Sequence, residues 1–185
     1  MENKQFDKGT KPREIFVYTC QRIAEPLLDL GFKYYKSKNE ITKKDDLFIY
    51  SIDFQPSIKL GSTSFLVHVS VYSNHLKEWR LSKDQTQLAD DVVFSTSLAR
   101  LTKRADDWPL YSIDAYSERE RVIAEITQQI NEYALPFFER FKNPGHLAED
   151  VKKQGFLPHR KNQQQLLRKD LATNFIECFG GEYTR

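Results

Sequence analysis

The sequence predicts an α+β protein in which a mainly antiparallel sheet of four to six strands carries helices packed on its aromatic face. Two segments, 47–54 and 64–73, alternate apolar and polar residues with the two-residue period of a β-strand. A third segment, 13–30, repeats its apolar residues at steps of three and four, which is the period of an α-helix. We therefore expect this helix to lie on the apolar face of the two strands.

The chain before the two strands divides into three parts. Residues 1–12 are polar and are expected to form a mobile leader, and Pro12 suits the first turn of the helix that follows. Gly31 is a natural end for that helix. Residues 32–44 then predict a short hairpin whose lysines protect a sheet edge from pairing with another chain.

The two alternating segments predict a central hairpin. The buried face is expected to comprise Phe48, Tyr50, Ile52 and Phe54 on the first strand, with Phe65, Val67, Val69 and Val71 on the second. Antiparallel pairing aligns these faces if Phe54 lies opposite Phe65. In that register Ser51 lies opposite His68 on the other face, and Asp53 is a diagonal neighbour.

The rest of the chain alternates between one strand and several helices. We expect a loop over 74–91 with one helical turn, a strand over 92–101, and a helix opened by a capping box at 117–120. Leu135-Pro136 interrupts that helix, a small helix follows to about Gln154, and a last helix runs from about residue 162 to residue 179.

Length and composition predict one domain over residues 1–185 in the cytoplasm. The N-terminus has no apolar signal segment, and no run approaches the roughly 18 apolar residues that a membrane span requires. Cys20 and Cys178 are flanked by apolar helical positions, which is typical of reduced thiols in a protein core. A net charge of +2 favours no strong attraction to nucleic acid or anionic lipid.

Several short segments resemble, in order and character, a bacterial family known only as domain of unknown function 4304. They are Leu30-Gly31-Phe32-Lys33, Ile52-Asp53-Phe54-Gln55, Phe65 to Tyr72, Leu98-Ala99-Arg100-Leu101, Trp108 and Leu135-Pro136-Phe137-Phe138. The resemblance covers most of the chain, although Trp108-Pro109 stands where paired tryptophans are expected. It implies an α+β fold and carries over no activity, substrate or catalytic residue.

The weak catalytic candidates are Ser51, Asp53 and His68, which a hydrolase would use as nucleophile, orienting carboxylate and general base. A serine in the middle of a strand has no exposed turn and no apparent oxyanion site, so the sequence predicts no catalytic residue and leans against an enzyme. No histidine or cysteine spacing typical of a metal site occurs, and no glycine-rich phosphate loop occurs, so we expect neither metal nor cofactor.

The sequence favours a non-enzymatic binding module with a protein partner. The candidate contact residues lie in or beside predicted loops and on the hairpin: His68, Tyr72, Trp79, Trp108 and Tyr111. One alternative is a hydrolase-like enzyme or small-ligand binder on the sheet face around His68. A second, disfavoured by the low net charge, is a single-stranded nucleic-acid binder that uses Lys33, Lys36, Lys43 and Lys44.

Overall fold

A computed structural model describes residues 4–7, 9–59, 62–83, 90–102, 108–157 and 169–181. Within these ranges six strands form one antiparallel sheet with the order β1-β2-β3-β4-β5, and β6 pairs with β4 as well. The strands are β1 (Lys33–Tyr35), β2 (Glu40–Lys44), β3 (Ile49–Lys59), β4 (Ser62–Tyr72), β5 (Val92–Ser97) and β6 (Tyr111–Ser112). The predicted α+β class and the antiparallel sheet are confirmed.

Helices cover the aromatic face of this sheet, as predicted. They are α1 (Pro12–Leu28), α2 (Asn74–Ser82), α3 (Leu98–Leu101), α4 (Tyr116–Gln129), α5 (Leu135–Glu139), α6 (Pro144–Gln154) and α7 (Lys169–Phe179). A π-helical turn, Ile130–Ala134, joins α4 to α5, and a 3-10 turn, Arg140–Lys142, follows α5. Ring contacts join helices to strands, for example Phe16 to Phe65 at 5.8 Å between centroids and Phe137 to Phe94 at 4.7 Å.

The predicted register of the central hairpin is wrong by two residues. Phe54 lies opposite Val67, and Phe65 lies opposite Pro56. The strands pair as far as Lys59 and Ser62, beyond the ends of the two predicted segments at residues 54 and 64. A shift of two residues leaves every side chain on its predicted face, because strand side chains alternate with a period of two.

Pro56 lies within β3 without breaking the pairing with β4. The Phe54 amide donates to the Asn39 carbonyl at 2.9 Å, so even-numbered amides of β3 point towards β2. The β2–β3 pairing ends at Glu40 and Asp53, which places the missing amide of Pro56 beyond the last pair. Proline is tolerated in a strand at such positions.

Three predicted elements differ in their boundaries. The segment 74–91 contains a full helix, α2, whose N-cap is the Ser73 hydroxyl, rather than a single turn. The strand predicted over 92–101 ends at Ser97, and the Ser97 hydroxyl accepts a hydrogen bond from the Arg100 amide to start α3. The capping box is absent from the start of α4, because that helix begins at Tyr116 and no side chain caps it.

Residues assigned to the mobile leader make specific contacts with the core helices. The Lys4 amide donates to the Tyr18 hydroxyl at 2.9 Å, and the Phe6 ring meets the Tyr18 ring edge-on at 5.2 Å. The buried Arg119 guanidinium donates to the carbonyls of Lys4 at 3.0 Å and Ile113 at 3.2 Å. The two Arg119 hydrogen bonds have a physical cause, because a buried guanidinium group must find acceptors.

None of the helices in the described ranges is long and apolar enough to cross a membrane.

Candidate functional site

The sheet face opposite the helices carries a row of polar side chains, and we call it the polar face. The strand registers align Glu40, Asp53, His68 and Ser97 across β2, β3, β4 and β5. A second row, two residues further along each strand, comprises Thr42, Ser51, Ser70 and Ser95. Because strand side chains alternate, both rows point away from the helical core.

An open groove of about 400 Å³ runs along the polar face. Its walls include Asp53, Gln55, His68, Tyr72 and, at the rim, Lys38. The His68 Nε2 atom lies 2.9 Å from Gln55 Oε1, and the Trp108 ring lies 5.6 Å from the imidazole between centroids. Half-burial lowers the pKa of His68, which favours the neutral ring near pH 7.

Two carboxylates converge on one hydroxyl beside this groove. The Ser51 Oγ atom lies 3.1 Å from Glu40 Oε1 and 3.0 Å from Asp53 Oδ2. A serine hydroxyl has one hydrogen, so it donates to only one carboxylate at a time. When Asp53 is protonated, its own hydrogen satisfies the second contact, and a chain from Asp53 through Ser51 to Glu40 is complete.

The pKa of Asp53 is raised to about 6. Burial of the carboxyl group is the main cause and the neighbouring Glu40 charge adds to it, while the hydrogen bond from Ser51 acts in the opposite direction. Asp53 therefore exchanges its proton close to neutral pH, and any cation that approaches the pair competes with that proton.

The three weak catalytic candidates lie on this face but do not form a nucleophile-base pair. Ser51 is fully buried, and its hydroxyl is engaged with the two carboxylates. Asp53 lies directly opposite His68, where we had placed Ser51. The His68 ring contacts Gln55 rather than Asp53, which the hydrolase alternative would need as its orienting carboxylate.

The five candidate contact residues fall into two groups. His68, Tyr72 and Trp108 lie on the polar face, where the Trp108 side chain is 49% exposed. Trp79 lies on α2 and lines a separate cavity between α2 and α7. Tyr111 is buried in the core beside Phe65, so it is not part of the polar face.

The four lysines of the nucleic-acid alternative do not line up on one edge. Lys33 pairs with Thr42 and Lys44 pairs with Ile49, which places both on the polar face. Lys43 lies on the helical face, and Lys36 follows the end of β1. The fold thus separates lysines that are close in sequence.

Replacing Asp53 by asparagine is expected to stabilise the protein at about pH 7.5 but not at about pH 4. The folded pKa of Asp53, about 6, exceeds the unfolded value of 3.8, so stability is lost as the pH rises between these values. Discounted for partial exposure, the difference is about 1 to 2 kcal/mol above the folded pKa. Urea unfolding of Asp53→Asn and wild type at both pH values measures it.

The exposed Asp46 provides the matched control, since Asp46→Asn removes the same charge outside the polar face. This control is expected to change the stability by only a few tenths of a kcal/mol, as is usual for an exposed side chain. A destabilised Asp53→Asn protein at pH 7.5 would contradict the arrangement described above.

The parts of the chain that the structure describes hold no group of three or more histidine, cysteine, aspartate or glutamate residues placed to bind a metal ion. No curated protein and no solved structure matches the chain. The model of one family, described as a domain of unknown function (DUF4304), matches residues 23–140, which include all six strands of the sheet and both Glu40 and Asp53. This match spans more than half of the sequence, and the chain therefore belongs to the DUF4304 family.

Proposed function

We propose that this protein is a binding module whose polar face receives a lysine or arginine side chain from a partner protein. The observation that carries the proposal is the carboxylate pair, Glu40 and Asp53, which lies half-buried beside an open groove.

The negative charge of the pair supports a cationic partner. Among the residues that the structure describes, no lysine or arginine forms an ion pair with Glu40 or Asp53. Half-buried charges are screened by salt less than exposed ones, so their attraction for a cation remains strong. A bound ammonium or guanidinium group also compensates the repulsion between the two carboxylates.

The aromatic neighbours of the pair support a long side chain with an apolar stem. Tyr72 and His68 line the groove, and the half-exposed Trp108 ring lies beside the His68 ring. Such rings contact the methylene groups of lysine or arginine and attract their charged ends. Exposed tryptophan and tyrosine residues also contribute much of the binding energy at protein interfaces.

The rim of the groove favours one basic residue over a polybasic segment. Lys38 lines the groove, and Lys33 and Lys44 lie on the same face. These lysines repel further cations, so the partner segment is expected to be otherwise neutral. A volume of about 400 Å³ is sufficient for one long side chain in this setting.

Nuclear magnetic resonance titration with acetyl-Gly-Lys-Gly-amide, and with the arginine and norleucine analogues, tests the proposal. We expect the lysine and arginine peptides to shift the Trp108 indole and His68 signals at millimolar concentrations, and the norleucine peptide to leave them unchanged. Binding should weaken as the pH falls through about 6, because Asp53 then takes up a proton.

Two variants make this test specific. The double variant Glu40→Gln, Asp53→Asn is expected to lose the response, whereas Glu78→Gln on α2 should retain it. Equal shifts from the norleucine peptide, or an unchanged response in the double variant, would overturn the proposal.

We favour binding over hydrolysis because the only serine among the weak catalytic candidates is fully buried. We also propose that residues 1–185 form a single domain that acts in the cytoplasm of a bacterium. Cys20 and Cys178 are both buried and neither forms a disulfide, which supports a reducing environment.

A further inference from the structure

Another pocket, distinct from the groove and from the cavity beside Trp79, lies on the helical side of the sheet, and we call it the aromatic pocket. It has a volume of about 290 Å³ and is more enclosed than the groove on the polar face. It opens between the end of α1, the β2–β3 connection and α5, with Leu30, Asp45 and Leu135 among its lining residues. The two sites are therefore separated by the sheet.

Three rings form the apolar wall of the aromatic pocket. The Phe138 ring lies 5.0 Å from the Tyr50 ring and 6.3 Å from the Phe32 ring between centroids. All three side chains are buried, and Leu135 lies beside them at the end of a π-helical turn. Turns of this kind occur frequently beside binding sites, because they displace side chains from the regular helical positions.

Asp45, one of the two acidic residues that line the pocket, is already engaged within the protein. Asp45 Oδ1 accepts hydrogen bonds from the Leu47 amide at 2.9 Å and the Phe48 amide at 2.7 Å, and Oδ2 accepts one from the Tyr50 hydroxyl at 2.6 Å. Burial and the bond to Asp45 raise the pKa of Tyr50, so its hydroxyl stays protonated. Asp45 is thus a structural acceptor that fixes the Tyr50 ring.

The basic group at the pocket has unused donors. The Lys43 ammonium donates to the Leu30 carbonyl at 2.8 Å and lies 5.6 Å from the centre of the Phe32 ring. An ammonium group has three N–H bonds, and among the described residues only this one acceptor contacts it. Lys142 also lines the pocket, but its exposed side chain is paired with Glu139.

We infer that the aromatic pocket binds a small aromatic carboxylate, with its ring against Phe32, Tyr50 and Phe138 and its carboxylate on the Lys43 ammonium. An anion is favoured over a cation because the Lys43 ammonium has unused donors, whereas Asp45 accepts three hydrogen bonds and Glu139 pairs with Lys142. A volume of about 290 Å³ is close to the lower limit of ligand pockets, roughly 300 Å³, which restricts the ligand to about one ring.

Titration with phenylacetate, phenylacetamide and phenethylamine tests the inference by nuclear magnetic resonance of the backbone amides. We expect saturable shifts around Phe32, Tyr50 and Leu135 with phenylacetate and weaker binding of the other two compounds. Lys43→Gln is expected to weaken phenylacetate about tenfold, because a hydrogen bond to a charged group is lost. Lys43→Arg should restore most of that affinity.

Lys44 is the matched control, because it is the next residue on β2 and points to the opposite face. Lys44→Gln should leave phenylacetate binding unchanged. Equal binding of phenethylamine, or unchanged phenylacetate affinity in a folded Lys43→Gln protein, would overturn the inference.

A fourth variant keeps the test decisive if Lys43→Gln does not fold, since Lys43 also holds the Leu30 carbonyl. Leu135→Trp fills the aromatic pocket while leaving the ammonium group in place, and it should abolish phenylacetate binding. Retained binding in a folded Leu135→Trp protein would place the ligand elsewhere and overturn the inference. The double variant of the polar face, Glu40→Gln with Asp53→Asn, should bind phenylacetate normally, so the two proposals fail independently.

Discussion

Replacing Ile52 by aspartate is expected to abolish cooperative folding. Ile52 is fully buried on β3, opposite Ile41 on one side and Val69 on the other. An unpaired charge at such a position costs several kcal/mol, which is a large share of the roughly 5 to 15 kcal/mol that stabilises a typical domain. Urea unfolding followed by circular dichroism should therefore show no cooperative transition.

Ile49→Asp provides the comparison, because Ile49 lies on the same strand but on the polar face. Its side chain is partly exposed, and Lys44 is its neighbour on β2. We expect a loss of about 1 kcal/mol, as is typical for a partly exposed site. Equal losses for the two variants would mean that the polar face is covered as fully as the helical face.

The two faces of the sheet were predictable from the sequence, but the register was not. Alternation in 47–54 and 64–73 determines which residues are buried, and every residue of those two apolar sets is buried in the structure. Alternation is equally consistent with Phe54 opposite Phe65 or opposite Val67, because the two registers differ by an even number of residues. The length of the connection decides between them.

The polar face was only partly predictable for the same reason. Ser51, Asp53 and His68 follow from alternation on two strands. Glu40 lies in the same row only because β2 pairs with β3 in one particular register, and the sequence did not predict that register. Gln55 continues the alternation of Ser51 and Asp53, so extending the predicted strand past Phe54 would have placed it on the polar face, but only the observed register brings it beside His68.

Two aromatic residues show how long-range contacts limit sequence analysis. Tyr111 and Trp108 are close in sequence and were both expected near a partner. Tyr111 pairs with Phe65 through β6 and is buried, whereas Trp108 lies half-exposed over His68. The pairing of β6 with β4, two strands that are far apart in sequence, determines this difference.

Phe48→Ala is expected to destabilise the protein by about 3 to 5 kcal/mol, the range for removal of a buried phenylalanine ring. The Phe48 ring lies 5.3 Å from the rings of Phe141 and Phe179 and 6.5 Å from the ring of Phe175. It therefore joins the start of β3 to the 3-10 turn and to α7, and the truncated side chain leaves a cavity where these three elements meet.

Urea unfolding of three variants measures this effect and identifies its cause. Phe48→Leu fills much of the cavity and should lose only about 1 to 2 kcal/mol. Trp108→Ala removes a larger ring from the polar face, where the side chain is 49% exposed, and should lose about 1 kcal/mol or less. If Trp108→Ala were as destabilising as Phe48→Ala, the tryptophan would be part of the core, and its assignment to an open binding face would have to be abandoned.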